Sequence, residues 1–371
     1  MDDYEFYVAR RIDQTEGNLK RYLVLIRLFF WNFKNTPKLK RSKRNIFEVE
    51  SRMTFNVLNI FNFRKRSFKF HDSQIAFLRN SGIQIDLIHV QVGLYGGITA
   101  FDLKNKYGIP YVITEHMGDV MFMDMVSSKR YLNEYKTAYT HANQIVSVSR
   151  SLRKRINEFI RIETGEVISN LKNFYAAGSI GKIERKSNWE NKVLIFTLAG
   201  LINDSKGIKE LTSAVALLPD SLKAKVHVLI GGEGNHRVLF EQHAKEVGIS
   251  ENCTWLGQLQ RKEVLAYHRL ADFFVLASHS ETFGMVLLEA LFAGKPVIST
   301  FCGGPEDIVN EGNGLLVPVL DIYSLRDAIQ YMVLNHEKYD SEWIIGDAVE
   351  RFSGKTIAGK YSTLFNKILE N

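Results

Sequence analysis

The sequence predicts an α/β protein built from two doubly wound domains. Three observations carry that reading. Short apolar runs of 4–6 residues alternate with helical stretches, which is the pattern of parallel strands buried on both faces. The chain is 371 residues long, and about 100–200 residues per domain makes two domains the natural division. Its composition, 45% hydrophobic and 24% charged with only 6 Pro, excludes a disordered, collagen-like or low-complexity chain.

The second half is the more regular. Val193–Ala199 reads as a strand, followed by a loop from Gly200 to Gly207 and a helix through Leu217. Val226–Ile230 is a strand ending in Gly231-Gly232-Glu233-Gly234, with a helix closing near Gly248. Thr254–Leu256, Phe273–Ala277 and Val297–Ser299 read as further strands, and Arg261–Leu270 and Gly284–Ala293 as helices. In the first half Leu87–Val90, Tyr111–Thr114 and Ile145–Ser149 read as strands, with helices over Ile98–Tyr107 and after Ser149. Leu23–Phe30 and Asn56–Phe63 are weaker strand candidates. The expected domains span residues 1–180 and 190–350, with a last helix over 352–371 and the boundary in the Gly, Ser and charge-rich stretch Ala176–Asn188.

Charge separates the halves. Residues 1–180 hold 28 Lys+Arg against 17 Asp+Glu, whereas residues 181–371 hold 20 against 24. Six cations fall within Lys34–Arg44, and Arg64-Lys65-Arg66 follows. The plain reading is a solvated loop. No RNA- or DNA-binding motif accompanies the run, so no nucleic-acid partner is expected. An anionic inner-leaflet lipid surface is preferred, with Leu28-Phe29-Phe30-Trp31 at the interface. The opening MDDYEFYVARR does not resemble a signal peptide, and Tyr22–Phe33, interrupted by Arg27, is short of the roughly 20 residues that cross a bilayer. Cys253 and Cys302 fall in no CxxC or CxxxH pattern and read as reduced thiols. A cytoplasmic protein, peripheral at the inner face of the membrane, is the expectation.

The strongest chemical signal is Ser280-Glu281-Thr282-Phe283-Gly284-Met285-Val286-Leu287-Leu288-Glu289-Ala290, just after a strand. Thr282 is expected to cap the helix, and Gly284 to let a phosphate approach its amides and positive dipole end. Glu289 would sit about five residues in, placed for vicinal ribose hydroxyls, and Glu281 would stay in the loop to accept from a sugar. By spacing alone, Glu281 could equally cap the helix and Glu289 be a solvated helix residue.

The stretch ADFFVLASHSETFGMVLLEALFAGKPVISTFCGGPEDIV, from Ala271 to Val309, resembles the nucleotide-sugar site of the family 4 glycosyltransferases. LAGLINDSKGIKEL resembles that family's G-R-L-x-x-x-K-G loop, and HVLIGGEG its strand and glycine turn at the nucleotide base. Asp86–His89, Tyr95-Gly96-Gly97 and Ile109–His116 resemble its acceptor-side edge. The resemblance implies a GT-B fold, two Rossmann-like domains facing each other across a cleft, with the last helix crossing back to the first. It also implies a retaining transferase that moves a sugar from a nucleotide-sugar to a glycan or lipid-linked saccharide, with surface polysaccharide assembly as the setting. Glu281, Lys206 and His116 take the catalytic roles. Glu289, Phe283, Gly284, Gly200, Gly232, Glu233, Gly234, Gly303 and Gly304 bind the donor. The leaving diphosphate would help take the acceptor proton, so no dedicated base is needed. No metal and no cofactor is expected, since there is no D-x-D, no zinc-spaced cluster and no P-loop.

Two positions depart from the family. Leu201 stands where the family has the Arg of G-R-L, removing one cation from the diphosphate. At the start, Glu5–Arg11 reads as the helix that follows the family's first strand and glycine turn, so that strand would be missing. A nucleotide-binding remnant without turnover is therefore the second reading, and a sugar-nucleotide epimerase on the same fold the third.

Overall fold

A computed structural model describes residues 63–91, 93–116, 129–161, 165–169, 183–199 and 203–370, together with the backbone of four strands between residues 5 and 50. The chain divides into two compact units, residues 1–168 with 359–371, and residues 169–358.

The first unit carries an eight-stranded mixed sheet. In chain order its strands are β1 (Glu5–Arg10), β2 (Tyr22–Ile26), β3 (Lys38–Lys43), β4 (Ile46–Glu50), β5 (Leu87–Val90), β6 (Tyr111–Glu115), β7 (Gln144–Ser147) and β8 (Glu166–Val167). They lie in the order β3-β4-β1-β2-β5-β6-β7-β8. From β2 to β8 every pairing is parallel, while β1, β3 and β4 form an antiparallel head.

Two expectations are corrected here. The helix anticipated over Glu5–Arg11 is the strand β1, and the sheet does not lack strands ahead of β5. The aromatic and β-branched residues Phe6, Tyr7 and Val8 suit a pleated ribbon, and β2 and β4 pair with it on both sides. The basic run is in part not a loop, because Lys38–Lys43 form the edge strand β3. Its register sets Lys38 opposite Glu50 and Lys40 opposite Glu48. Residues 34–37 and 44, Leu28–Trp31 and most of Asn56–Phe63 lie outside the described residues; Phe63 itself opens a helix.

The helices are α1 (Phe63–Asn80), α2 (Gly93–Tyr107), α3 (Lys129–Thr140) and α4 (Arg150–Ile160). Strand alternation sorts the faces of β6. Tyr111 and Glu115 bond to Ala138 and Tyr139 of α3, so that face meets the crossover helices. Thr114, on the other face, bonds to Tyr361. Arg64 of α1 is committed to Asp102 at 2.6 Å and Glu134 at 3.2 Å, and so drops out of the solvated cation cluster. In α4, Leu152, Ile156 and Ile160 are buried at helical spacing while Arg150 and Lys154 stay exposed.

The second unit is a wholly parallel sheet of β9 (Val193–Leu198), β10 (Val226–Gly231), β11 (Cys253–Gly257), β12 (Phe273–Leu276), β13 (Val297–Thr300) and β14 (Gly314–Val317). The order β11-β10-β9-β12-β13-β14 reverses between β9 and β12, which is the doubly wound arrangement with its switch point there. The strands are continuous apolar runs; β10, β12 and β13 are buried along their whole length. They are covered by α5 (Ile208–Ala216), α6 (Arg237–Glu246), α7 (Arg261–Leu270), α8 (Met285–Phe292), α9 (Ile322–Asn335) and α10 (Ser341–Phe352). Helix α11 (Gly354–Glu370) follows, and from Gly359 onward it belongs to the first unit.

Candidate functional site

In open parallel sheets ligands bind beyond the carboxyl ends of the strands, at the switch point. The loops leaving β9 and β12 meet there. Lys206 closes a 3₁₀ turn, Asp204–Lys206, that Asn203 caps by accepting from Ser205 N–H. Gly207 follows with φ +65°, and a Cβ there would lie 1.8 Å from the Ala277 carbonyl oxygen. Only glycine lets this loop pack against the end of β12. The consequence is a direct ion pair. Lys206 Nζ donates to Glu281 Oε1 at 2.8 Å, and Ser278 Oγ donates to the same oxygen at 2.9 Å. Both side chains are partly buried, at 27% and 17% exposure. Glu281 is thus held in the loop as expected, but its carboxylate is already engaged.

A second close approach shapes the loops after β12 and β13. Glu281 N–H donates to Cys302 C=O, and Gly304 N–H donates to Glu281 C=O. A Cβ on Gly304 would fall 2.2 Å from Phe283 Cα, so this residue must also be glycine. Gly303 N–H is taken by Glu306 at 2.9 Å. Burial pushes the Cys302 thiol up to about 12, which keeps it protonated beside these loops.

Helix α8 begins at Met285 with Gly284 as its N-cap at φ +98° and no side-chain cap bond. The Thr282 cap is therefore corrected. The chain turns at Gly284, two residues later, and this N-cap gives the first amides of α8 no side-chain bond. Glu289 is the fifth residue of α8. It is not a solvated helix residue, since its side chain is 12% exposed and lies 3.8 Å from Nε2 of the fully buried His268.

At the end of β10, Gly232 N–H donates to Gly257 C=O and Arg237 donates to Glu233. His236 Nδ1 stands 2.9 Å from Asp204 Oδ1, tying this turn to the Lys206 loop. Gly200 and Leu201 lie outside the described residues. Sequence reasoning did not single out Ser278, His268 or the His236–Asp204 pair. Ser278 was within reach as the small hydroxyl three residues before Glu281.

The first unit holds its own polar cluster at the carboxyl ends of β5 and β6. Glu115 is fully buried and accepts from Gly93 N–H at 3.0 Å, Tyr139 O–H at 2.5 Å and His116 N–H at 2.9 Å. The His116 ring bonds through Nε2 to Gln91 Oε1 at 3.1 Å. His89 is buried, and desolvation with the charge of nearby His116 pushes its pKa down to about 3.

Comparison with known proteins agrees with this architecture. The family model described as Glycosyl transferases group 1 matches residues 179–344, and Glycosyltransferase Family 4 matches residues 30–171. An uncharacterized glycosyltransferase of Methanocaldococcus jannaschii is 27% identical over 83% of this chain and 82% of its own. Among solved structures, HepE of Anabaena in complex with UDP superposes with TM-score 0.66 at 19% identity, covering 79% of this chain and 82% of that one. A lipopolysaccharide outer core galactosyltransferase in its apo form gives 0.65 at 19% identity, covering 85% and 83%. Other relatives are named an N-acetyl-alpha-D-glucosaminyl L-malate synthase and a D-inositol 3-phosphate glycosyltransferase, so acceptors in this group vary. The fold is GT-B, with two Rossmann-like domains. The chain belongs to the group 1 glycosyltransferases of family 4.

Proposed function

We propose that this glycosyltransferase moves a sugar from a nucleotide-sugar to a glycan or lipid-linked saccharide, with retention and without a metal. The observation that carries the reading is the Lys206–Glu281 pair at the switch point beside the start of α8. The diphosphate would lie along the α8 amides, where the helix dipole favours an anion. Lys206 would turn from Glu281 toward it and compensate the charge that grows as the sugar–phosphate bond breaks. Glu281 and the Phe283–Gly284 backbone would meet the sugar, Gly303 and Gly304 would close its pocket, and Glu289 would take the ribose. Gly200 and Gly232–Gly234 would border the phosphate and the base. For His116 the resemblance gives contact with the transferred sugar. Metal independence follows from a positive charge supplied by the side chain and the amides, and retention from the family resemblance, the departing diphosphate receiving the acceptor proton.

Surface polysaccharide assembly is proposed on the galactosyltransferase neighbour and on the basic first 180 residues, 28 cations against 17 acids. Attachment to an anionic inner membrane surface belongs to the same proposal. Among the described residues no helix is long and apolar enough to cross a membrane. A remnant that binds without turnover remains the second reading because Leu201 replaces the family's Arg.

A donor screen tests the whole. Thermal protection by one UDP-, GDP- or ADP-sugar and release of its nucleotide in EDTA are expected. Lys206→Ala should lower release by about 100-fold, the typical cost of one oxyanion stabiliser. Protection without release would leave the remnant, and loss in EDTA restored by manganese would overturn metal independence. An inverted anomer in the product would overturn retention. Sedimentation with acidic but not neutral vesicles, lost in high salt, is expected of the wild type; none at any salt would remove the membrane.

A further inference from the structure

His116 sits at the head of a chain of side chains that ends in the C-terminal helix. His116 Nε2 faces Gln91 Oε1 at 3.1 Å, and the Gln91 amide nitrogen lies 3.3 Å from His89 Nδ1 and 3.1 Å from its Nε2. His89 Nε2 is 2.7 Å from Thr114 Oγ1, which is 2.9 Å from the hydroxyl of Tyr361 in α11. Tyr361 and Phe365 of the same helix pack on the His89 ring, with centroids 5.1 and 5.3 Å away.

Proton bookkeeping fixes the His116 end of the chain. An amide oxygen only accepts, so His116 Nε2 must carry the hydrogen facing Gln91. The Gln91 amide nitrogen then sits within 3.3 Å of both ring nitrogens of a neutral His89. Burial keeps it neutral, its pKa being about 3. His89 Nε2 shares a hydrogen bond with Thr114 Oγ1, and Thr114 Oγ1 shares one with the Tyr361 hydroxyl. Burial raises the Tyr361 phenol to about 12, so it stays a neutral hydroxyl. Glu115 meanwhile fixes the backbone of His116 through its N–H.

We propose that Gln91, His89, Thr114 and Tyr361 are positioning residues that lock His116 in its Nε2–H tautomer and make that lock depend on the docking of α11. The relevance to transfer rests on the proposed role of His116; the lock itself does not. A His116 held this way keeps the same bond to Gln91 whether or not its other nitrogen gains a proton, so ring orientation survives a change of charge.

Ring-nitrogen NMR on protein labelled with 15N-histidine tests the lock, with His116 and His89 assigned from His116→Gln and His89→Asn. The wild type should show His116 as a single Nε2–H tautomer near neutral pH. Gln91→Leu should turn this into a mixture, whereas Gln91→Glu, which keeps an acceptor facing His116, should keep the hydrogen on Nε2. Tyr361→Phe keeps the ring on His89 and removes only the end of the chain, so the His89 nitrogen signals should move. An Nδ1–H wild type, or an unchanged single tautomer in Gln91→Leu, would overturn the lock. Unmoved His89 signals in Tyr361→Phe would overturn the link to α11, and this variant and Gln91→Glu decide the matter should Gln91→Leu not fold. Nucleotide release from UDP-glucose is followed in parallel. A tautomer that collapses with release unchanged keeps the lock and removes His116 from the chemistry.

Discussion

The switch-point loops of the second unit and the histidine cluster of the first are fixed by different means. Beside Lys206 and Glu281 the backbone sets the geometry, because Gly207 and Gly304 let main chains approach to distances that forbid a Cβ. Around His116 one glycine also comes close, Gly93, whose Cβ would fall 1.8 Å from the Tyr139 hydroxyl, but its neighbour is a side chain and side chains do most of the holding, through Glu115, Gln91, His89, Thr114 and Tyr361. A site set by backbone contact tolerates changes of neighbouring side chains but no added carbon at its glycines. A site set by a polar chain tolerates small backbone adjustments but fails when one member cannot donate or accept.

The contrast is sharpest at the glycines. Gly207→Ala puts a Cβ 1.8 Å from a carbonyl oxygen at φ +65°, and should cost about 3 kcal/mol of stability and abolish protection by UDP. Gly82→Ala, in the first unit, has φ +74° but nothing within 4 Å, so only the strained φ remains and about 1 kcal/mol is expected. Urea unfolding of both variants measures the pair. Equal losses would break the distinction between contact and conformation.

A smaller effect depends on pH. His89 protonates far less readily folded than unfolded, so the unfolded chain binds more protons below its ordinary pKa of about 6.5. Its contribution to stability is intact above that pH and is lost progressively as pH falls from there toward about 3. One unit below, at pH 5.5, the loss is about 1.4 kcal/mol. Stability by urea unfolding should fall between pH 7.5 and 5.5 by about 1.4 kcal/mol less in His89→Asn than in the wild type. The same pH dependence in both proteins would mean that His89 is not shielded.

Much of the second unit was legible in the sequence because its strands are unbroken apolar runs and its site residues flank them. Glu281, Glu289 and Gly303-Gly304 come from one stretch, where a strand, a tight turn and a helix start leave little freedom. Thr282 misled because a hydroxyl before an apolar run signals a cap, whereas Gly284 turns the chain later. The bond between Lys206 and Glu281 spans 75 residues, and only the sheet order brings the two together. The first unit was harder to read. The six residues of β1 have no clean alternation, so partners on both sides rather than pattern make them a strand. The Thr114–Tyr361 bond joins residues 247 positions apart, and no local spacing announces Gln91 as a link in that chain.

The central claim is that a nucleotide-sugar binds at the switch point of the second unit, with Glu289 on its ribose. Calorimetric titration of UDP into the wild type and Glu289→Ala, with circular dichroism confirming that both are folded, tests it most directly. A charge-assisted hydrogen bond is worth about 1.5–3 kcal/mol, so the variant should bind UDP roughly 10- to 100-fold more weakly at unchanged stoichiometry. Equal affinity in a folded Glu289→Ala would contradict the account and return Glu289 to a structural role beside His268.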